Sequence, residues 1–185
     1  MRMMNEEICF RDATEDDLLF IARGFHMAML MEDTPDERIE NFANNICSRD
    51  GVLYSPTNTI IAEIDGRPVG ILTAYDGSLY HDMRVRTMAL VKEHLGIEFE
   101  GMEDEAQPGE YYLDSLAVLP EFRGRGIGRR LLQKGIEAGR RLGLKVTLAV
   151  DPVNEKAQKL YRSLGFDNQC NLFIFGHTYW KWYVV

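Results

Sequence analysis

The chain has 185 residues, of which 45% are hydrophobic and 27% are charged. These values are typical of one soluble globular domain and argue against a disordered chain, a fibre or a multi-domain assembly. No segment approaches the ~18 consecutive apolar residues of a membrane span, and the first seven residues lack the apolar region of a signal peptide. The sequence therefore predicts a single domain over residues 1–185, located in the cytoplasm.

The net charge of −8 is distributed unevenly along the chain. Between Glu121 and Lys145, eight basic residues stand against two acidic ones, so the acidic surplus lies entirely elsewhere. The negative net charge argues against nonspecific binding to nucleic acid or to anionic membranes. A single basic segment within it instead predicts a site for one small polyanion. The cysteines Cys9, Cys47 and Cys170 are widely spaced, which favours neither a disulfide framework nor a metal site.

The first half of the chain predicts a strand, two helices and a hairpin. The strand is Ile8 to Arg11, and a helix follows it. The second helix is predicted to begin with Thr34 as its N-cap, Pro35 in its first turn and Glu37 as the capping-box acid. The hairpin pairs Thr59 to Ile64 with Arg67 to Tyr75 through Asp65 and Gly66, a dipeptide typical of type I′ turns.

The second half predicts a βαβ unit between further elements. Four elements follow the hairpin in the order helix, strand, helix and strand: Tyr80 to Leu95, Tyr111 to Leu119, Gly126 to Leu142 and Lys145 to Val150. A further helix is predicted to begin at Asp151 and Pro152 and to end at Gly165. The aromatic tail from Phe166 to Val185 predicts two more strands, which would serve either as core or as an edge for a homodimer. These elements indicate one α/β domain with a mixed sheet.

A glycine-rich loop lies directly between a predicted strand and a predicted helix. Its eight residues, from Arg123 to Arg130, include three glycines and four arginines. Glycines at such a place allow a sharp turn and a close approach of ligand to backbone, and the first amides of the helix point outward without intrahelical partners. Added to the helix dipole, these amides favour an anion. The loop therefore predicts a pyrophosphate site, while a turn with solvated arginines is the plainer alternative.

Two well-known phosphate loops fit this segment poorly. A Walker loop needs lysine and then serine or threonine after its last glycine, whereas Arg129 and Arg130 follow here. A dinucleotide fingerprint that starts at Gly124 has Arg129 at its sixth position instead of glycine, although Asp151 at the end of the next strand imitates the acidic ribose ligand. A nicotinamide-dependent oxidoreductase thus remains the alternative.

The segment from Tyr111 to Phe166 carries several motifs at compatible spacing. They are a strand, a proline, the glycine loop with two leucines, and a second helix, through the residues Leu113, Asp114, Ser115, Leu116, Ala117, Val118, Pro120, Arg123, Gly126, Gly128, Leu131, Leu132, Asn154, Ala157, Leu160, Tyr161, Gly165 and Phe166. Together they resemble the acetyl-CoA-binding core of the GNAT superfamily of N-acetyltransferases. Ile8 to Asp17 and Thr59 to Tyr75 fit the same family more loosely.

The resemblance implies an α/β fold with a mixed, mostly antiparallel sheet flanked by helices around a βαβ cofactor-binding core. It implies acetyl-CoA as the acetyl donor, with the pyrophosphate on the loop amides and the pantetheine arm along the preceding strand. The implied cofactor-binding residues are Leu116, Ala117, Val118, Arg123, Gly124, Arg125, Gly126, Ile127, Gly128, Arg129, Asn154 and Tyr161. Core packing explains the strand residues equally well, and helix capping explains Asn154.

The implied reaction is the attack of an amine on a thioester. A primary amine with a pKa of ~10.4 is protonated at neutral pH, so a base or a chain of waters must remove a proton. Tyr161 matches the family's tyrosine that is taken to protonate the departing sulfur, although an aromatic residue on this apolar helix face is also typical of core. Asp114, two residues from Leu116 and hence predicted on the same face of the strand, is the first candidate for the base. Glu63 and a relayed water are the alternatives.

The acceptor is the least defined part of the prediction. The segment from Glu98 to Glu105 has five acids and no basic residue, and it forms either an acidic rim that attracts amines or a solvated loop. The expected acceptor is an amine of a small molecule or a peptide, with no nucleic-acid or membrane partner. A non-catalytic acyl-CoA sensor is the second alternative. His81 and His177 have no recognisable partner in the sequence.

Overall fold

The computed structural model describes residues 7–31, 33–101 and 103–184. Within these residues, seven strands form one mixed sheet in the order β1-β2-β3-β4-β5-β7-β6. The strands are β1 (Ile8–Asp12), β2 (Thr59–Ile64), β3 (Arg67–Asp76), β4 (Glu110–Val118), β5 (Lys145–Val150), β6 (Asp167–Ile174) and β7 (His177–Val184). The β4–β5 pair is parallel and the other pairs are antiparallel. The predicted mostly antiparallel sheet with one βαβ unit is confirmed.

Five α-helices flank this sheet within the described residues. They are α1 (Leu18–Ala28), α2 (Asp36–Phe42), α3 (Tyr80–Leu95), α4 (Ile127–Arg141) and α5 (Glu155–Arg162). Successive residues of a strand face opposite sides of a sheet, so each face has its own core. On one face, Leu131 and Leu132 of α4 pack with Leu113 of β4; on the other, Ile21 of α1 packs in a cluster with Tyr112.

The predicted β2–β3 turn and the predicted ends of two helices are confirmed, and each contains a residue with a left-handed backbone conformation. Asp65 and Gly66 have φ of 50° and 75°, as the type I′ turn between β2 and β3 requires. Gly96, with φ of 66°, ends α3, and Gly143, with φ of 70°, follows the C-cap of α4. These positions are specified locally, because few other residues adopt that conformation without strain.

Two predicted helix starts are wrong by one to a few residues. The N-cap of α2 is Pro35 instead of Thr34, whose hydroxyl donates to the Met31 carbonyl at 2.7 Å. Helix α5 begins after Asn154, not at Asp151. The Asp151 side chain accepts a hydrogen bond from the Val153 amide at 2.9 Å and so holds a turn before the helix. In both places a side-chain contact competes with the helix start.

The aromatic tail divides into an interior strand and an edge strand. Strand β7 lies between β5 and β6, and Trp182 on it is buried in the core. Strand β6 is the edge, where Phe173 is exposed. Within the described residues, no helix has the length and apolarity to cross a membrane. Residues 1–6, on which the signal-peptide prediction relied, lie outside the described part of the chain.

Candidate active site

A cleft of about 660 Å³ opens where β4 and β5 separate. The two strands pair only from Glu110–Lys145 to Leu113–Leu148, so the remainder of β4 has lost its parallel neighbour. The residues predicted for the site line this cleft, with the exceptions of Arg125 and of Glu63, the alternative base. The structure therefore brings the glycine loop, the second half of β4 and helix α5 together, as the resemblance implied.

The glycine loop turns sharply into α4. Gly124 and Gly126 have φ of 80° and 77°, and Gly126 is the N-cap of the helix. The first intrahelical bond runs from the Arg130 amide to the Gly126 carbonyl at 3.1 Å, which leaves the amides of Ile127, Gly128 and Arg129 without a helical acceptor. Three outward amides at the positive end of a 15-residue helix form an anion site.

The arginines of this loop point in different directions. Arg123 donates to the Val118 carbonyl at 3.0 Å, and Arg129 donates to the Ser163 hydroxyl at 2.6 Å. Both line the cleft. Arg125 lies over the ring of Phe122, and Arg130 lies 4.8 Å from the ring centroid of Phe10 on β1. Only part of the positive charge of this segment therefore lies at the cleft. The groups that the loop offers at the mouth of the cleft are chiefly its backbone amides.

Helix α5 forms the opposite wall of the cleft. Asn154 caps this helix, because its side-chain oxygen accepts from the Ala157 amide at 3.1 Å. Tyr161 packs edge-to-face against Phe166 and Trp182, with centroid distances of 6.0 Å and 6.5 Å. Burial raises the pKa of Tyr161 to about 12. The hydroxyl therefore stays protonated at neutral pH and is a proton donor rather than a base.

Asp114 lies in the cleft for a reason that the strand pattern did not predict. A bulge shifts the β3–β4 register between the pairs Thr73–Ser115 and Ala74–Leu113, so that Asp114 is the extra residue. The prediction that Asp114 and Leu116 share a face is wrong, since Leu116 packs with the α4-side core whereas Asp114 accepts a hydrogen bond from Tyr75 on the other side. Burial raises the pKa of Asp114.

Glu63, the second candidate base, lies outside the cleft. Arg11 donates to it at 2.8 Å across β1 and β2 and also binds Asp17 at 2.7 Å and 2.9 Å. The Arg11 guanidinium lowers the pKa of Asp17 and thereby favours its charged form. Glu63 belongs to this structural ion pair, and the geometry removes it as a candidate.

Glu105 is the site residue that sequence reasoning missed. It was placed within an acidic segment, but in the structure it lines the cleft and accepts from the hydroxyls of Tyr112 at 2.6 Å and Tyr80 at 3.1 Å. Burial and the neighbouring Asp114 carboxylate raise the pKa of Glu105 to about 7. The local sequence gave no signal for it, because its partners lie on α3 and β4.

The rest of the acidic segment is engaged with neighbouring groups. Glu98 pairs with Lys92 at 2.6 Å, and Glu103 accepts from the Phe173 amide at 2.8 Å. Asp104 contacts Arg84 and the ring of His81, each at 2.9 Å. Each of these three carboxylates is therefore at least partly balanced by a neighbouring donor or cation, although Glu98 and Glu103 remain exposed.

The two histidines predicted to lack partners both have one. His81 is joined to Asp104 at 2.9 Å, and His177 lies 3.4 Å from Asp151. The sequence could not show these contacts, since each joins residues more than 20 positions apart. Asp151 is held by His177 and the Val153 amide at the edge of the cleft.

Acetyl-CoA fits the groups that line the donor end of this cleft. A Cβ on Gly128 would lie 3.7 Å from the Leu116 side chain and 3.8 Å from that of Val118, so glycine leaves the space between loop and strand unfilled. The outward amides of α4 suit a pyrophosphate. The unpaired side of β4 offers backbone groups to an amide-containing arm, in the manner of an added strand.

The architecture does not fit the nicotinamide alternative. A dinucleotide fold has successive βαβ units with its phosphate loop after the first strand. In the described residues, β4–β5 is the parallel pair, and β1, β2 and β3 precede the loop in an antiparallel arrangement. Asp151 lines the cleft without that context.

Comparisons with known proteins agree with this geometry. Residues 25–166 match the acetyltransferase (GNAT) family model. N-alpha-acetyltransferase RimI of Mycobacterium tuberculosis is 46% identical over 59 residues, which cover 32% of this chain and 36% of that protein. The chain thus spans about a third of that curated relative.

Two solved structures align along nearly all of the chain. One is described as an acetyltransferase; it is 28% identical with a TM-score of 0.75 and covers 95% of this chain and 97% of its own. The other is an N-acetyltransferase from Staphylococcus aureus Mu50; it is 23% identical with a TM-score of 0.78, covers 95% of this chain and 100% of its own, and supports the fold alone. With a family match that spans more than half of its length, the chain belongs to the GNAT family of acetyltransferases.

Proposed function

We propose that residues 1–185 act as a single N-acetyltransferase domain that moves the acetyl group of acetyl-CoA to an amine by direct attack in a ternary complex. One observation carries this proposal: a single cleft extends from the outward amides of α4, past the unpaired side of β4, to the half-buried carboxylates Asp114 and Glu105. It thus offers an anion site and a cation site to two substrates at once.

The donor is held by groups of the loop, β4 and α5. Amides from Arg125 to Arg129 bind the pyrophosphate, with Arg123 and Gly124 at the mouth of the cleft. The backbone of Leu116, Ala117 and Val118 would bond the pantetheine arm, and Asn154, whose side-chain oxygen caps α5, would donate its side-chain N–H to the same arm. When bound, acetyl-CoA supplies an activated carbonyl that accepts the amine nitrogen.

Tyr161 supplies the proton for the sulfur. Its ring is fixed by Phe166 and Trp182, and its hydroxyl is protonated at neutral pH. A thiol has a pKa of ~8.5 whereas that of Tyr161 is about 12, so protonation of the departing sulfur is unfavourable by itself and is completed because the amine returns a proton to the tyrosine. Tyr161 is therefore protonated both before and after each turnover.

The acceptor is an amine on a small molecule or a peptide. The acceptor end of the cleft is lined by residues 27–30 at the C-terminal end of α1, by Phe175 at the β6–β7 turn, and by Tyr54 and Tyr179. Apolar and aromatic walls around two carboxylates favour an alkylammonium over an anion or a sugar.

Ligand-dependent thermal stability tests the donor class. Acetyl-CoA and CoA are expected to raise Tm, because a ligand at 100 times its Kd adds ~2.7 kcal/mol, whereas NADH and ATP at equal concentration are expected to leave it unchanged. Stabilisation by NADH alone would contradict the proposal. Release of the CoA thiol with a panel of primary amines and peptides with free N-termini then tests turnover. If acetyl-CoA binds but no member of the panel causes thiol release, the protein is an acyl-CoA sensor.

A further inference from the structure

Two half-buried carboxylates at the acceptor end of the cleft, Asp114 and Glu105, differ in how they are held. Asp114 is part of the β4 bulge, where the Tyr75 hydroxyl and the neighbouring Ser115 hydroxyl donate to it. Glu105 comes from a segment outside the sheet and reaches Tyr112 and Tyr80. A carboxylate offers about four lone-pair directions, so each group keeps acceptor capacity toward a ligand in the cleft.

Their order along β4 matches the order of the reacting groups. Glu105 is bonded to Tyr112, Asp114 lies two residues further along the strand, and Leu116 lies two residues beyond it. Although Asp114 and Leu116 point to opposite sides of β4, both line the cleft at the edge of the strand that β5 leaves open, as does Glu105. A nitrogen that approaches a carbonyl held at this edge beside Leu116 therefore comes within reach of Asp114 first and of the longer Glu105 side chain behind it.

The groups that face Glu105 leave it one close negative neighbour. They come from the segment before β2, from β3, α3, β4 and β7, and they are Tyr54, Tyr75, Tyr80, Arg84, Tyr112, Asp114 and Tyr179. Burial raises the pKa of all five tyrosines, which are therefore neutral at neutral pH. Arg84 is already paired with Asp104 at 2.9 Å. Two like charges in one buried site ionise in separate steps.

We propose, building on the acetyl transfer proposed above, that Glu105 is the base that takes a proton from the incoming ammonium while Asp114 binds that ammonium as its counter-ion. The acceptor that reaches this site is consequently a protonated primary amine, and it enters as a cation.

The protons of the reaction balance with these residues. Glu105 takes one proton from the ammonium, and the nitrogen lone pair forms the bond to the acetyl carbon. The carbon–sulfur bond breaks, and Tyr161 donates its proton to the sulfur. The second proton lost by the nitrogen returns to the Tyr161 oxygen, and the proton on Glu105 leaves to solvent. The products are an amide, a thiol and one released proton.

The raised basicity of Glu105 makes the first step feasible. An alkylammonium has a pKa of ~10.4, so transfer to an ordinary glutamate is unfavourable by about a millionfold. With the pKa of Glu105 at about 7, the same transfer is unfavourable by about a thousandfold. Loss of water around the ammonium in the cleft reduces this gap, whereas the Asp114 carboxylate beside it acts in the opposite direction.

The variant Glu105→Gln tests the assignment because it keeps a hydrogen-bond acceptor for the tyrosines and removes the base. We expect kcat/KM for an active amine to fall by ~100-fold or more, as for other general bases, and the rise of wild-type kcat/KM through pH 7 to disappear. Affinity for acetyl-CoA is expected to stay unchanged. Glu105→Asp, which still ionises, should recover part of kcat and keep the acidic limb.

Glu100→Gln is the matched control, since it makes the same charge change in the same segment at an exposed position outside the cleft. It should retain wild-type kinetics. The failure of the two proposals can be told apart: a wild-type enzyme without turnover on any amine counts against the transferase function, whereas an active wild type matched by an equally active Glu105→Gln overturns only the role of Glu105.

A titration of the free protein provides a readout without turnover. With ¹³C-labelled glutamate, the Glu105 carboxyl carbon is identified by its loss in Glu105→Gln and should titrate near pH 7. Since the folded pKa lies above the unfolded value, wild-type stability should fall as pH rises from about 4 through 7, and Glu105→Gln should lack this fall. Titration near pH 4 in the folded protein would overturn the assignment.

Discussion

The donor end and the acceptor end of the cleft are built by different means. The donor end comes from one stretch of chain, β4, the glycine loop, α4 and α5, and is proposed to bind mainly through backbone amides. The acceptor end gathers side chains from α1, α3, β3, β4, the β6–β7 turn and the segment before β4. Backbone recognition needs a local conformation, which a short motif specifies. Side-chain recognition needs tertiary contacts, which can be assembled from any part of the chain.

This difference explains why the family is evident while the acceptor is not. Residues 25–166 match the family model, and this range contains the whole glycine loop as one continuous motif. Glu105, by contrast, is positioned by hydrogen bonds from Tyr80 and Tyr112, which lie 25 and 7 positions away in the sequence. Four changes test how separate the two ends are, from the largest expected effect to the smallest.

Tyr161→Phe removes the proposed proton donor between the two ends. We expect kcat to fall by ~10-fold or more, because an acid in the transition state contributes at least that much, and the affinity for acetyl-CoA to change little. Steady-state kinetics and a CoA titration measure the two quantities. Tyr183→Phe, on β7 against Lys145, is the control. Unchanged turnover in Tyr161→Phe would remove its catalytic role.

Gly126→Ala changes the donor end alone. Gly126 has φ of 77° and Gly143 has φ of 70°, and a Cβ at either position meets nothing within 4 Å. Alanine costs about 1–2 kcal/mol at each position through its backbone. Because the two glycines stand at opposite ends of α4, Gly126→Ala should weaken acetyl-CoA binding by ~10-fold while Gly143→Ala lowers Tm similarly without that effect. Equal CoA affinities, measured by calorimetry, would contradict the loop assignment.

Asp114→Asn changes the acceptor end alone. The Asp114 carboxylate raises the pKa of Glu105, so its removal should lower that pKa. The acidic limb of the pH profile should move to lower pH, and KM for the amine should rise several-fold because the counter-ion is lost. A profile over pH 5 to 9 measures both effects. A shift to higher pH would show that Asp114 does not act on Glu105 through its charge.

The double change Glu98→Gln and Glu100→Gln probes the outer acidic segment and has the smallest expected effect. Glu98 is paired with Lys92, and both side chains are exposed. Exposed charges are screened within ~8 Å at physiological salt, so KM for the amine should change less than twofold at that ionic strength. A strong salt dependence that this variant abolishes would restore the acidic-rim hypothesis.

The sequence by itself determined those parts that depend on local backbone conformation. The Asp65–Gly66 turn, the end of α3 at Gly96, the order of β4, α4 and β5, and the Gly124–Gly126 loop all follow from residues that tolerate positive φ or from hydrophobic periodicity. The family resemblance assigned a cofactor-binding function to the β4–α4–β5 unit and its loop, because the residues that carry it lie within one continuous segment of the chain.

Only the tertiary structure decided the side-chain contacts that join distant segments. Thr34 and Asp151 failed as predicted helix starts because each makes a competing contact. The bulge in β4 turned Asp114 to the side opposite Leu116, and Arg11 took Glu63 away from the cleft. A carboxylate gains its acidity from whatever surrounds it in space. For Glu105 those surroundings come from five other parts of the chain, and no pattern of neighbouring residues encodes them.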